Sequence, residues 1–104
     1  LLSAGFDTYF QDPLGGMRVT PKGFAALTRI LLDIADSCCG GRFVVVLEGG
    51  YHVMGLAESI KAVLEEMRDD THYPEEKLAA LEKETGADNI IKQVAAKISP
   101  YWKL

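Results

Sequence analysis

Two stretches of this 104-residue chain carry side chains that could do chemistry. The first is Leu47-Glu48-Gly49-Gly50-Tyr51, which directly follows a run of strand character, Arg42-Phe43-Val44-Val45-Val46-Leu47. A parallel strand buried on both faces reads as a continuous β-branched run rather than an alternation. Its carboxyl end opens into a loop of the kind where open α/β sheets place their ligands. Two glycines there let the main chain turn sharply and approach a ligand closely, and Tyr51 delivers one phenolic hydroxyl to that edge. The bland reading is a turn at Gly49-Gly50 with Tyr51 merely packed. The second stretch is Ser3-Ala4-Gly5-Phe6-Asp7, followed by Asp12-Pro13-Leu14-Gly15. Taken as residues alone, Asp7 and Asp12 are loop carboxylates that accept hydrogen bonds from nearby backbone N–H groups. The adjacent Cys38 and Cys39 sit in a loop-like, glycine-flanked segment with no further thiolate or histidine at metal-ligand spacing, and read as reduced and structural.

The elements around these stretches place them together. Leu1–Ala4 reads as the end of a strand, and residues 5–16 as loop. Thr20 is a natural N-cap with Pro21 at the first helical position. Phe24, Leu27, Leu31 and Ile34, widened by Ile30 and Ala35, predict an amphipathic helix that ends near Ser37. After the second strand, a helix from Gly55 to Arg68 turns Leu56, Ile60, Val63, Leu64 and Met67 inward. Glu58, Lys61, Glu65 and Glu66 occupy its other face. Strand, helix, strand in that order implies a right-handed βαβ unit. Asp7 and Tyr51 then share the carboxyl edge of one parallel sheet. Glu48, just ahead of the glycines, is expected to be buried and hydrogen-bonded in support of that site. The acidic run 65–88 reads as solvated surface. Pro74 opens a short helix with Leu78 and Leu81 that stops at Gly86. Asp88 caps a last helix with Ile91, Val94 and Ile98 on one face, and Tyr101 and Trp102 are expected to tuck against the body.

As an ordered set, SAGFD at 3–7, DPLG at 12–15, VTPKGFAALT at 19–28 and LEGGY at 47–51 resemble the histone deacetylase family. That family includes bacterial deacetylase-like, acetoin-utilisation and acetylpolyamine-hydrolysing members. The resemblance covers about residues 1–67 and fits the C-terminal third of the catalytic domain. It implies an α/β architecture, part of a three-layer α/β/α arginase–deacetylase fold with a parallel sheet. Residues 1–68 would be the C-terminal part of the catalytic domain, and 69–104 its helical tail. A first residue of leucine, inside strand-like sequence, accords with a chain cut from a longer protein.

The resemblance also implies the chemistry, which is hydrolysis of an acetyl amide at a Zn²⁺ centre. Asp7 matches the zinc-ligating aspartate of SAGFD, and a carboxylate oxygen at a strand end suits Zn²⁺. Tyr51 matches the tyrosine whose hydroxyl donates to the carbonyl oxygen as it becomes an oxyanion. Gly49 and Gly50 would border the substrate, and Asp12 and Glu48 would support the site from behind. Tyr9 and Phe10 stand where many relatives carry a histidine, and are read as packing aromatics. His52 matches neither the histidine ligand nor the general-base histidines of the family, all of which lie upstream. Asp70-Thr71-His72 imitates the family's Asp-x-His zinc pair, but follows a helix in a charged run and is set aside as accidental. With one matching ligand where catalytic sites use three, the isolated chain is expected to be inactive.

Composition narrows the remaining choices. A net charge of −4 and a pI near 5.1 provide no basic face for nucleic acid. No apolar run approaches the ~20 residues of a membrane span, and no signal peptide is visible. The partner expected is an acetylated amide, either acetyl-lysine or an acetylpolyamine, in a cytoplasmic setting. An unpaired sheet edge would favour self-association of the isolated chain. The alternative is a non-catalytic relative that keeps the fold as a binding or assembly module.

Overall fold

The computed structural model describes residues 1–69 and 87–102. The chain divides into two compact units, residues 1–73 and 74–104. The short helix expected between Pro74 and Gly86 and the Asp70-Thr71-His72 triplet lie outside the described residues.

In the first unit, strand β1 (Leu2–Ala4) pairs in parallel with strand β2 (Val45–Leu47), with Leu2 opposite Val45 and Ala4 opposite Leu47. Main-chain bonds extend this pairing past both strand ends. The Glu48 N–H donates to Ala4 O at 3.0 Å and the Phe6 N–H to Gly49 O at 2.8 Å. The two loops that leave the carboxyl edge are therefore stitched together before they diverge.

Helix α1 (Pro21–Cys39) makes the crossover between the strands. Thr20 caps it through Oγ1, which accepts the Gly23 N–H at 3.2 Å, and Pro21 opens it. It runs two residues past the expected Ser37, so Cys38 and Cys39 are its last helical residues and not loop; both are exposed free thiols. Gly40 ends it in the left-handed region at φ 58°. The buried face of α1 differs from the expected stripe. Phe24, Ala25, Ala26, Thr28 and Ala35 are buried, whereas Leu27, Ile30 and Ile34 are about half exposed. Two short strands cover only a narrow strip of a 19-residue helix, and an apolar groove of about 280 Å³ runs between β1 and α1. For the same reason Val44, Val46 and Leu47 are not buried on both faces, as their composition implies.

Helix α2 (Val53–Met67) packs on α1. It buries Gly55, Ser59, Val63 and Glu66, while Leu56 and Ile60 are partly buried beside them and Leu64 and Met67 face outward. Glu66 was expected on the polar face and is instead fully buried. Its Oε1 lies 3.6 Å from Nη1 of Arg29 on α1, and Arg29 also reaches Asp33 and Asp69 at 3.2 Å. A carboxylate is tolerated inside only when a charge meets it. The hydrophobic centre is Phe6, Tyr9, Phe24 and Val63, with the Phe6 and Phe24 rings 4.9 Å apart. Phe6 thus pins to the core the loop that carries Asp7.

In the second unit, helix α3 spans Asp88–Ile98. Ala87 occupies the N-cap position and makes no side-chain cap bond, so Asp88 lies in the first turn, where its charge meets the helix dipole, and is not the cap. Tyr101 and Trp102 are exposed.

Candidate functional site

The site grows from the carboxyl edge of the β1–β2 pair. Asp7 leaves β1 through Gly5 and Phe6, and its carboxylate folds back over Gly5. A methyl group on that glycine would stand 2.9 Å from Asp7 Oδ1. From β2, Gly49 stands opposite. A methyl there would lie 3.9 Å from the Asp7 carboxyl carbon and 3.8 Å from the Tyr51 hydroxyl oxygen. Asp7 and the Tyr51 hydroxyl therefore face the same small volume above Gly49, one from each strand end. Asp7 is half-buried and makes no hydrogen bond or ion pair among the described residues.

The two glycines between β2 and Tyr51 serve different ends. Gly50 sits at φ 140°, a conformation that side chains rarely adopt, and its α-carbon faces the core, 2.9 Å from Leu56 and 3.0 Å from Phe6 by the same measure. Gly49 has no positive φ, and its bare face is the floor of the space shared by Asp7 and Tyr51. Glu48 is exposed, with only its backbone N–H tied to Ala4. The burial expected of it is not found, because the strand it ends is itself open to one side.

Tyr51 is 57% exposed, so its side chain gains little hold from packing. Its main chain is held firmly. Asp12 is buried, and its Oδ2 accepts the N–H groups of Tyr51 at 2.7 Å and His52 at 3.2 Å. The other oxygen, Oδ1, accepts those of Leu14 at 2.9 Å and Gly15 at 3.1 Å. Burial pushes the Asp12 carboxyl up, but the four N–H donors, led by Tyr51, outweigh it and hold the group below the ordinary aspartate value of 3.8. Asp12 is thus a carboxylate at neutral pH.

His52 adds a second fixture. Its Nδ1 accepts the Gly55 N–H at 2.9 Å and so caps α2, which leaves the ring proton on Nε2. The ring stacks on Tyr9 at 5.3 Å between centroids. Tyr9 in turn lies against Gly55 so closely that a methyl there would enter its ring. Burial, with the nearby Glu58 charge, raises the Tyr9 phenol above its usual range. Histidine is not among the usual N-cap residues, and the sequence carries no other signal of this role.

The donor set fits one position of a metal centre. Asp7 is an accessible carboxylate with room around it, but no group of three or more His, Cys, Asp or Glu side chains converges among the described residues. Catalytic zinc sites use three protein ligands. No helix among the described residues is long and apolar enough to cross a membrane.

The Asp7 carboxylate and the Tyr51 phenol thus stand together at the carboxyl edge of a parallel pair in an α/β unit, and comparison with known proteins gives the chain a family. The family profile described as "Histone deacetylase domain" matches residues 1–67. The mouse polyamine deacetylase HDAC10 is 39% identical over 102 residues, covering 98% of this chain and 14% of that protein. Histone deacetylase 6 of Caenorhabditis elegans is 37% identical over 111 residues, covering 100% and 11%. Among solved structures, the HD domain of HDA15 superposes with a TM-score of 0.58 at 42% identity, over 66% of this chain and 18% of that one. The chain belongs to the histone deacetylase family and has its α/β fold. It spans between a tenth and a fifth of the length of these relatives.

Proposed function

We propose that this chain is the part of a zinc-dependent deacetylase that supplies one metal ligand, Asp7, and one catalytic hydrogen-bond donor, Tyr51. The observation that carries this reading is the placement of the Asp7 carboxylate and the Tyr51 hydroxyl on either side of Gly49, at the carboxyl edge of the sheet. The chemistry such a centre supplies when loaded is polarisation of the acetyl carbonyl and activation of a water molecule. Tyr51 donates its hydroxyl proton in a hydrogen bond to the carbonyl oxygen as negative charge builds there. A phenol does this at neutral pH without being ionised itself. Gly49 leaves the floor of the site free of side chain for the acyl group, Gly50 makes the turn that presents Tyr51, and Glu48 borders the same loop.

The names of the relatives support a substrate class. HDAC10 is named a polyamine deacetylase and other relatives histone deacetylases, so an acetylated amine is the substrate proposed here. The remaining ligands and the general base come from residues other than those described, and the 104-residue chain alone does not turn over. The open edges of its two-stranded sheet favour pairing between copies of the isolated chain.

The test is hydrolysis of a fluorogenic acetyl-lysine peptide and of an acetylated polyamine by the full-length protein, with and without a zinc chelator. Chelator-sensitive turnover of either is expected. Turnover unaffected by metal removal would overturn the reading.

A further inference from the structure

We propose that Asp12 is a positioning residue for Tyr51: its carboxylate holds the main chain that carries the tyrosine, and through it sets where the hydroxyl stands. This rests on the role proposed above for Tyr51.

The argument starts from how the two oxygens of Asp12 are used. Oδ1 accepts the N–H groups of Leu14 and Gly15, two and three residues on. That is the local turn an Asp-Pro pair makes, and an asparagine carbonyl would make it as well. Oδ2 plays no part in that turn. It is given entirely to Tyr51 and His52, 39 and 40 residues away in sequence. An asparagine would present its NH₂ to one of the two pairs of N–H donors, so only a carboxylate serves both sides at once. The identity of the residue is set by the long-range pair.

The need for such an anchor follows from the surroundings of Tyr51. Its side chain is more than half exposed, so its position depends on its backbone. On one side of that backbone is Gly50, at φ 140°. On the other is His52, the cap of α2. Between a permissive glycine and a helix start, the Tyr51 and His52 N–H groups are the points where the loop can be fixed, and Asp12 takes both. The fixing group is itself immobile, since Asp12 is buried and its loop is bonded to the core through Tyr9 O at 3.0 Å.

The experiment is a double-mutant cycle in the full-length protein, with Asp12→Asn, Tyr51→Phe and the pair, each assayed for kcat, KM and bound zinc. A misplacement of about 1 Å can cost about 100-fold in rate. Asp12→Asn is therefore expected to lower kcat about 10- to 100-fold, with KM and zinc content little changed. In the Tyr51→Phe background, where no hydroxyl remains to be placed, the same substitution should cost less than about 2-fold. Asp12→Glu, which keeps the charge but shifts the oxygens by a methylene, should show the same loss and the same non-additivity.

Equal losses from Asp12→Asn with and without the hydroxyl would overturn the proposal while leaving Tyr51 in the mechanism. An unchanged kcat in Tyr51→Phe itself would instead remove Tyr51, and with it the ground for the proposal. If neither Asp12 variant accumulates as folded protein, Asp12 is a residue of folding alone and the proposal also fails.

Discussion

Alanine substitutions at the adjacent glycines 49 and 50 should separate stability from activity. At Gly50 the new methyl meets two obstacles. The φ of 140° costs a side chain about 1–3 kcal/mol. The methyl would also stand 3.0 Å from the Phe6 β-carbon and 2.9 Å from Leu56 Cδ1. Leu56 can rotate its terminal methyl away, but the Phe6 β-carbon cannot move without its backbone, which adds about 1 kcal/mol, the low end of overpacking. Gly50→Ala should therefore destabilise by about 2–4 kcal/mol, which lowers Tm. At Gly49 there is no positive φ, and the closest contacts, to Tyr51 and Asp7, are 3.8–3.9 Å, ordinary van der Waals distances. Gly49→Ala should leave Tm unchanged or raise it slightly, since a compatible Gly→Ala change restricts the unfolded chain. It puts a methyl group on the floor between the carboxylate and the hydroxyl, so kcat/KM should fall about 10-fold or more while the fold is intact. Scanning calorimetry and peptide deacetylation on both variants read the two effects. Equal destabilisation by both, or full activity of Gly49→Ala, would refute the placement of these glycines.

Three further outcomes follow. Arg29→Met removes the cation 3.6 Å from the fully buried Glu66, and should destabilise by more than about 1 kcal/mol, read as a lower denaturant midpoint; a loss below about 1 kcal/mol would show that the pair does not hold α1 to α2. The Asp12 carboxyl has a folded-state pKa below its ordinary 3.8, so the stability it contributes is fully present above that value and is lost as pH falls through the lower folded one. Wild type and Asp12→Asn should accordingly differ most in Tm near neutral pH and converge in acid; a constant difference would contradict the direction of the shift. Thr20→Ala removes the α1 cap and should cost about 1 kcal/mol by denaturant titration, with kcat little changed because the bond lost, from the Gly23 N–H, lies at the helix start and involves neither Asp7, Asp12 nor Tyr51.

Local signals in the chain account for the elements that position the site. Thr20-Pro21 starts α1 where capping chemistry says it should, and the β-branched run before Gly49 forms β2. The parallel pairing that brings Asp7 and Tyr51 to one edge follows from strand, helix, strand order alone. Long-range partnership is the part that periodicity does not carry. Glu66 looks like a surface residue because its partner, Arg29, lies on another helix 37 positions away. The stripe Leu27, Ile30 and Ile34 is as apolar as the residues that are buried, yet the two described strands reach only one side of α1. The second oxygen of Asp12 depends on a loop closing over 40 residues, which no local pattern records, and the cap made by His52 is local but uses a residue type outside the usual capping set.

The most direct test of the central account measures zinc stoichiometry and turnover together in Asp7→Asn and Tyr51→Phe variants of the full-length protein. Asp7→Asn is expected to lose both bound zinc and activity. Tyr51→Phe should keep zinc at the wild-type level and lose about 10²–10³ in kcat, the cost of one oxyanion donor. A Tyr51→Phe enzyme as fast as wild type, or an Asp7→Asn enzyme that still binds zinc and turns over normally, would contradict it.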